Sequence, residues 1–213
     1  MLERIRSWRE RYVQYGRDAL GLSLFRYYSQ IYSSLLTLKN TLNSEEIGFM
    51  QVVANMFLEQ LDMHYNENEW FASMDQALHG VIAAEAAWTS PGSNSIWQIV
   101  NHLIFWNEDV IHRIKGTENP HKPETNEETF GEPWDPEDEI GWTQTVQRLN
   151  EVMNKLKTVI ADLDDEKLKA PYAANRYSIE RLLSNVMMHD TYHLGQIVLL
   201  RKLQSSWGGV DWS

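Results

Sequence analysis

The stretch MMHDTYHLGQI, residues 187–197, sets His189 and His193 four residues apart, with Asp190 directly after the first. On an α-helix, residues at that spacing lie about 40° around and about 6 Å along the axis, so the two imidazoles share a face. That face is the apolar one: Leu182, Val186, His189, His193, Ile197 and Leu200 continue a single seam. With Ser178 as cap, the pattern predicts one long helix from Ile179 to about Leu203. Two readings of the pair stay open at this point. Either the helix holds a metal ion between its histidines, or it buries two imidazoles that backbone or carboxylate groups satisfy.

The same helical period governs the chain upstream, and no strand pattern competes with it. Ser95 and Gln98 have capping-box spacing and open a helix carrying Ile96, Ile99, Val100, Leu103, Trp106, Val110 and Ile114, stopped by Gly116. Residues 117–135 form a polar connection containing Pro120, Pro123 and Pro133. Asp135-Pro136 reads as the N-cap and first residue of a helix bearing Val146, Leu149, Met153, Leu156 and Ile160. Before Ser95, a pattern starting near Glu46 runs through Phe57, Leu61 and His64 toward Trp88, where Pro91-Gly92 ends it. A weakly amphipathic segment, about Leu20–Asn40, precedes it. The expected fold is all-α: a four-helix bundle with an extra N-terminal helical segment. The long link between the second and third main helices would let them run parallel, in up-down-down-up order.

Composition narrows the function. None of the 213 residues is cysteine, which removes disulfides, thiolate ligands and a cysteine nucleophile together, and suits a cytoplasmic protein. The formal charge of −11 argues against a nucleic-acid partner, which requires clustered Lys and Arg. No apolar run approaches the roughly 20 residues that span a bilayer, so no membrane partner is expected. Charge is uneven: residues 1–58 carry a balance of +2 and the remainder −13, marking the first quarter as a distinct piece.

A third imidazole is at hand. His102 sits beside Ile99, Leu103 and Trp106, near the inward face of its helix. Three neutral nitrogen donors on two packed helices make a facial set with positions left open for water or substrate. Two rival metal motifs fail. A zincin requires Glu where Asp190 stands and a further ligand, and residues 194–213 offer no His or Glu. A di-iron bundle requires paired E-x-x-H motifs, and the single instance, Glu118 to His121, contains Pro120.

NSIWQIVNHLIFWNE at 94–108 followed by HDTYHLGQI at 189–197 resembles the DinB-like (YfiT-like) superfamily. Its hallmark is one histidine on the second helix of a bundle and an H-x-x-x-H-x-G-Q-I pair on the fourth. The resemblance covers residues 57–213, leaving 1–56 as an N-terminal helical extension. It implies a metal-binding up-down-down-up bundle, often a homodimer, with His102, His189 and His193 at the ligand positions. Zinc or nickel is the expected ion, with manganese and iron as alternatives. Characterised relatives include thiol S-transferases that use bacillithiol or mycothiol and a mycothiol-dependent maleylpyruvate isomerase; others are described as metal-dependent hydrolases.

The first functional expectation is therefore transfer of a low-molecular-weight thiol to a small electrophile, since this chain has no sulfur nucleophile of its own. Hydrolysis by water activated at the same ion is the alternative, and a non-catalytic metal-binding stress or interaction protein is the reading from another class. Around the histidines, Asn185 and Gln196 lie within a turn of the pair and are expected to orient the imidazoles. Trp106 and Tyr192 are pocket candidates, with core packing as the plain alternative. Asp109, seven residues from His102 on the same face, is either a substrate or proton-transfer group or a solvated carboxylate. Asp190, about 100° around the helix from His189, is read as a surface or orienting residue rather than a ligand. His64, His79, His112 and His121 have no pairing that singles them out. The link at 124–139, with eight acidic and no basic residues, is either a solvated loop or a lid over the site.

Overall fold

The computed structural model describes residues 53–209, apart from 133 and 175. The expected N-terminal helix at about Leu20–Asn40, and nearly all of the proposed extension, lie outside the described residues. The described chain is all-α, as expected. Its helices are α1 at 53–65, α2 (Met74–Leu78), α3 (Ala83–Ala87), α4 (Ile96–Lys115), α5 (Glu139–Ala161), α6 (Asp165–Lys169) and α7 (Ile179–Leu203). The extended pairing among the described residues is one isolated bridge, Pro171 with Ser178. No helix among them is long and apolar enough to cross a membrane.

The four long helices contribute to one core. Phe57 and Leu61 of α1, Trp97 and Leu103 of α4, Leu149 and Leu156 of α5, and Leu183 and Ile197 of α7 are all buried in it. α4 packs against both α5 and α7, which places its inward residues at the centre. Trp97 is fully buried, stacked on Trp134 at 4.9 Å, and its indole N–H donates to Thr145 Oγ1 at 2.9 Å. A buried indole needs such a partner, because an unpaired N–H would forfeit its hydration.

Helix ends follow local chemistry, and here two expectations are corrected. The pattern toward Trp88 is not one helix. α1 ends where the Asn66 and Glu67 N–H groups both return to the Asp62 carbonyl at 2.9 Å. Asn68 Oδ1 then takes the Ser73 N–H, while Ser73 Oγ caps α2 by accepting from Gln76 N at 3.2 Å. Short polar side chains compete with the helix for backbone groups, and that competition outweighs apolar periodicity here. Likewise α5 starts at Glu139, capped by Asp138, rather than at Pro136. Asp138 Oδ1 accepts from Gly141 N at 2.8 Å, and a Cβ on Gly141 would strike that carboxylate. Asp135 serves one turn earlier, accepting from Glu137 N at 2.9 Å. The helix α4 matches its expectation: both bonds of the Ser95/Gln98 capping box are formed, and Gly116 ends it at φ 66°.

Arg201 ties the far end of α7 to α2. Its guanidinium is buried and donates to the carbonyls of Ala77 at 2.9 Å, His79 at 3.1 Å and Ser206 at 2.8 Å. The Ala77 and His79 oxygens lie in or just beyond the last turn of α2, and that of Ser206 just beyond α7, where helical donors are lacking. Arg201→Met should leave them unsatisfied at a cost of about 2–4 kcal/mol. Calorimetry of the variant should find a melting temperature lower by about 5–15 °C.

Candidate metal centre

His102 comes from the second turn of α4, and His189 and His193 from the middle of α7. The packing of these helices brings the three rings together. His102 Nε2 and His189 Nε2 stand 3.0 Å apart, and one nitrogen from each ring lies within 4.8 Å of the others.

The outer nitrogens decide what the inner ones present. His102 Nδ1 is 2.6 Å from Thr129 Oγ1, His189 Nδ1 is 3.1 Å from Asp190 Oδ1, and His193 Nδ1 is 2.7 Å from Gln196 Oε1. A carboxylate and an amide oxygen are acceptors. Thr129 is one too, because its hydroxyl proton goes to the Asn126 carbonyl at 2.5 Å. Each Nδ1 therefore carries the proton, and each Nε2 turns a bare lone pair toward the other two rings. Lone pairs 3.0 Å apart with no proton between them repel, and a cation placed among them removes the conflict. Three nitrogens at the usual zinc distance in a tetrahedron would lie about 3.3 Å apart, close to that separation. The donor set fits a divalent ion.

Burial keeps the donors neutral. His102 is pushed down to about 3, first by burial and then by the neighbouring His193 and His189. Burial also lowers His193, against the opposing pull of its bond to Gln196. At neutral pH both rings are neutral imidazoles with one bare nitrogen, the state a metal requires.

Of the two readings of Asp190, surface or orienting, the structure departs from the first: the residue is only 2% exposed and lies beside the His189 ring. Its carboxylate accepts from Asn107 Nδ2 at 2.9 Å and faces His64 Nε2 at 3.8 Å as well as His189. Burial alone would raise Asp190, but the surrounding His189, His64 and Asn107 outweigh it and hold the carboxyl below its ordinary range. His64, not singled out by its sequence context, is buried, with Nδ1 2.7 Å from the Gln60 carbonyl. Its place on the apolar stripe of Phe57 and Leu61 was the available signal.

The histidines form one wall of a pocket of about 480 Å³, lined also by Trp106, Asp109, Arg113, Phe130, Tyr177 and Tyr192. Asn185 lines it too, from an exposed position, whereas Gln196 orients an imidazole directly. Trp106 meets His102 edge-on at 6.3 Å, and Tyr192, 65% exposed, meets His193 at 5.0 Å. Asp109 is not a solvated carboxylate: it pairs with Arg113 Nε at 2.5 Å inside the pocket. The link reaches the site through a 3-10 turn, Glu127–Phe130, that stacks Phe130 on His102 at 3.9 Å. Thr129 and Phe130 had no signal in the sequence, since loop residues follow no period.

Thr129→Val keeps the shape of the side chain but removes the acceptor that fixes His102. The His102 ring is then free to protonate Nε2 instead. Zinc affinity, read by competition with a chromophoric chelator, should fall about tenfold or more.

Comparison with curated proteins and with solved structures found no match. The family model of the DinB superfamily matches residues 58–197. That span exceeds half of the chain and takes in all three histidines, so this protein belongs to the DinB superfamily.

Proposed function

We propose that the protein is a divalent-metal-dependent S-transferase that joins a low-molecular-weight thiol to a small electrophile. The observation that supports it is the convergence of three bare Nε2 atoms on the wall of a pocket sized for a small molecule, in a chain without cysteine. A bound ion supplies Lewis acidity, lowering the pKa of a thiol or a water held there. His102, His189 and His193 hold the ion, and Thr129, Asp190 and Gln196 keep their tautomers fixed. Trp106, Phe130 and Tyr177 provide apolar walls for the electrophile. In the overall step the thiol gives its proton to solvent water, a sulfur–carbon bond forms as the bond from that carbon to the leaving group breaks, and the leaving group departs with its electron pair into the open pocket.

The test uses chelator-treated protein reloaded with zinc, nickel or manganese. It is given monochlorobimane and, separately, cysteine, glutathione and 2-mercaptoethanol. Metal-dependent conjugation that disappears in His102→Ala supports the proposal. Turnover that needs the metal but no thiol replaces it with hydrolysis, and stoichiometric metal with no turnover replaces it with a non-catalytic metal protein.

A further inference from the structure

We propose that Arg113 anchors a carboxylate on the small molecule that occupies the pocket, whose other end reaches the three histidines; this rests on the thiol reading above. α4 carries Trp106, Asp109 and Arg113 four, seven and eleven residues after His102. At about 100° per residue all three fall within about 40° of the His102 direction. The pocket lining includes each of them.

The guanidinium is held in place before any ligand arrives. Arg113 leans back one turn so that Nε meets Asp109 Oδ2 at 2.5 Å. Its central carbon lies 5.9 Å from the Trp106 ring centre and 5.3 Å from that of Tyr172. Asp109 occupies the side of the fork. At its end, Nη1 stands 3.4 Å from the Tyr172 hydroxyl, at the limit of a hydrogen bond. The two end nitrogens match the spacing of a carboxylate, and Tyr172 sets a further hydroxyl donor beside them. A fork already fixed by an ion pair and two rings loses little freedom when it binds.

The pocket does not share the acidity of the chain. Its single acidic lining residue is Asp109, which Arg113 neutralises. The link contributes Asn126 and Phe130 to the lining and keeps its carboxylates elsewhere. Glu128, for instance, turns back to accept from Glu124 N at 2.9 Å, and Glu139 accepts from Ala83 N at 2.9 Å. Because Arg113 reaches back to the level of Asp109, anchor and histidines are separated by about seven residues of helix, or about 10 Å. The class of ligand is a thiol with a carboxylate several bonds from its sulfur.

The experiment compares mercaptohexanoic acid with mercaptohexanol on cobalt-loaded protein, following the sulfur-to-cobalt absorption band. Wild type should bind the acid at least about tenfold more tightly. Arg113→Met should bring that ratio close to one, and Arg113→Lys, which keeps the charge but not the fork, should fall between. An equal affinity in wild type, or an undiminished preference in Arg113→Met, overturns the proposal. Calorimetry of adipate with the metal-free full chain separates the two readings. If wild type binds adipate and Arg113→Met does not, the anchor stands even where no cobalt–sulfur band forms and the thiol reading falls. Equal adipate binding by both proteins removes the anchor while leaving the metal site untouched.

Discussion

Replacing His193 with alanine is expected to weaken zinc binding by about a hundredfold to a thousandfold. The magnitude follows from sharing. Structural zinc sites bind with about 10–16 kcal/mol in total, so one of four ligands carries about 2.5–4 kcal/mol. The loss should exceed that figure in no obvious way, because His102 and His189 keep their own hydrogen-bond partners. Two readouts check it. Competition with a chromophoric chelator gives the affinity directly. Thermal unfolding gives it by linkage: zinc at a hundred times its Kd should stabilise wild type by about 2.7 kcal/mol. That corresponds to about 5–10 °C, and in the variant at the same concentration it should shrink to about 1 °C or less. A His193→Ala protein that binds zinc as tightly as wild type would sink the three-histidine site.

The second large effect belongs to Asp190. Asp190→Ala removes the acceptor for Asn107 and His189 and the carboxylate facing His64, all in one buried place. Breaking a buried hydrogen-bonded network from one side typically costs about 3–5 kcal/mol. Denaturant unfolding of the metal-free protein should register that loss, and zinc affinity should fall about tenfold to a hundredfold as His189 loses its orientation. If the variant unfolds at the wild-type midpoint, Asp190 does not hold the site together.

Acid should act on this network in two ranges. In the metal-free protein His102 and His193 are held below the unfolded imidazole value of about 6.5. The unfolded chain then binds more protons, so stability is full above about pH 6.5 and declines as pH falls below it. Asp190 is also lowered, so its contribution is present above the unfolded carboxyl value of about 3.9 and lost as pH falls through the folded one. Midpoints measured across pH should bend first near 6.5, and His102→Gln should flatten that first limb. A profile level from pH 7 to 5 would contradict the assignment.

Periodicity carried most of the fold. The α4 and α7 boundaries were legible because capping residues and apolar stripes agree there, and the same stripes turned His102, His189 and His193 inward. The long pattern through Phe57 misled because Asn68 and Ser73 hold backbone groups that a helix would have used. Asp190 was left between a surface and an orienting role for a different reason. An angle measured from His189 alone says nothing about what packs on that side, and Asn107 and His64 from two other helices fill it. Thr129 and Phe130 belong to a link whose contacts depend on the tertiary fold, as does the pairing of Asp109 with Arg113 within the pocket.

The separation of 87 positions between His102 and His189 gives the cluster a consequence for how the chain folds. His189 and His193 are neighbours within one helix and can meet as soon as that helix forms, whereas His102 must be delivered by long-range closure. During refolding, zinc should therefore associate in two kinetic phases: a fast, weak, bidentate capture by the nascent final helix, then a slower tightening as α4 docks. Chelator added at successive times would catch the interval between them, making metal retention a clock for the assembly of the core.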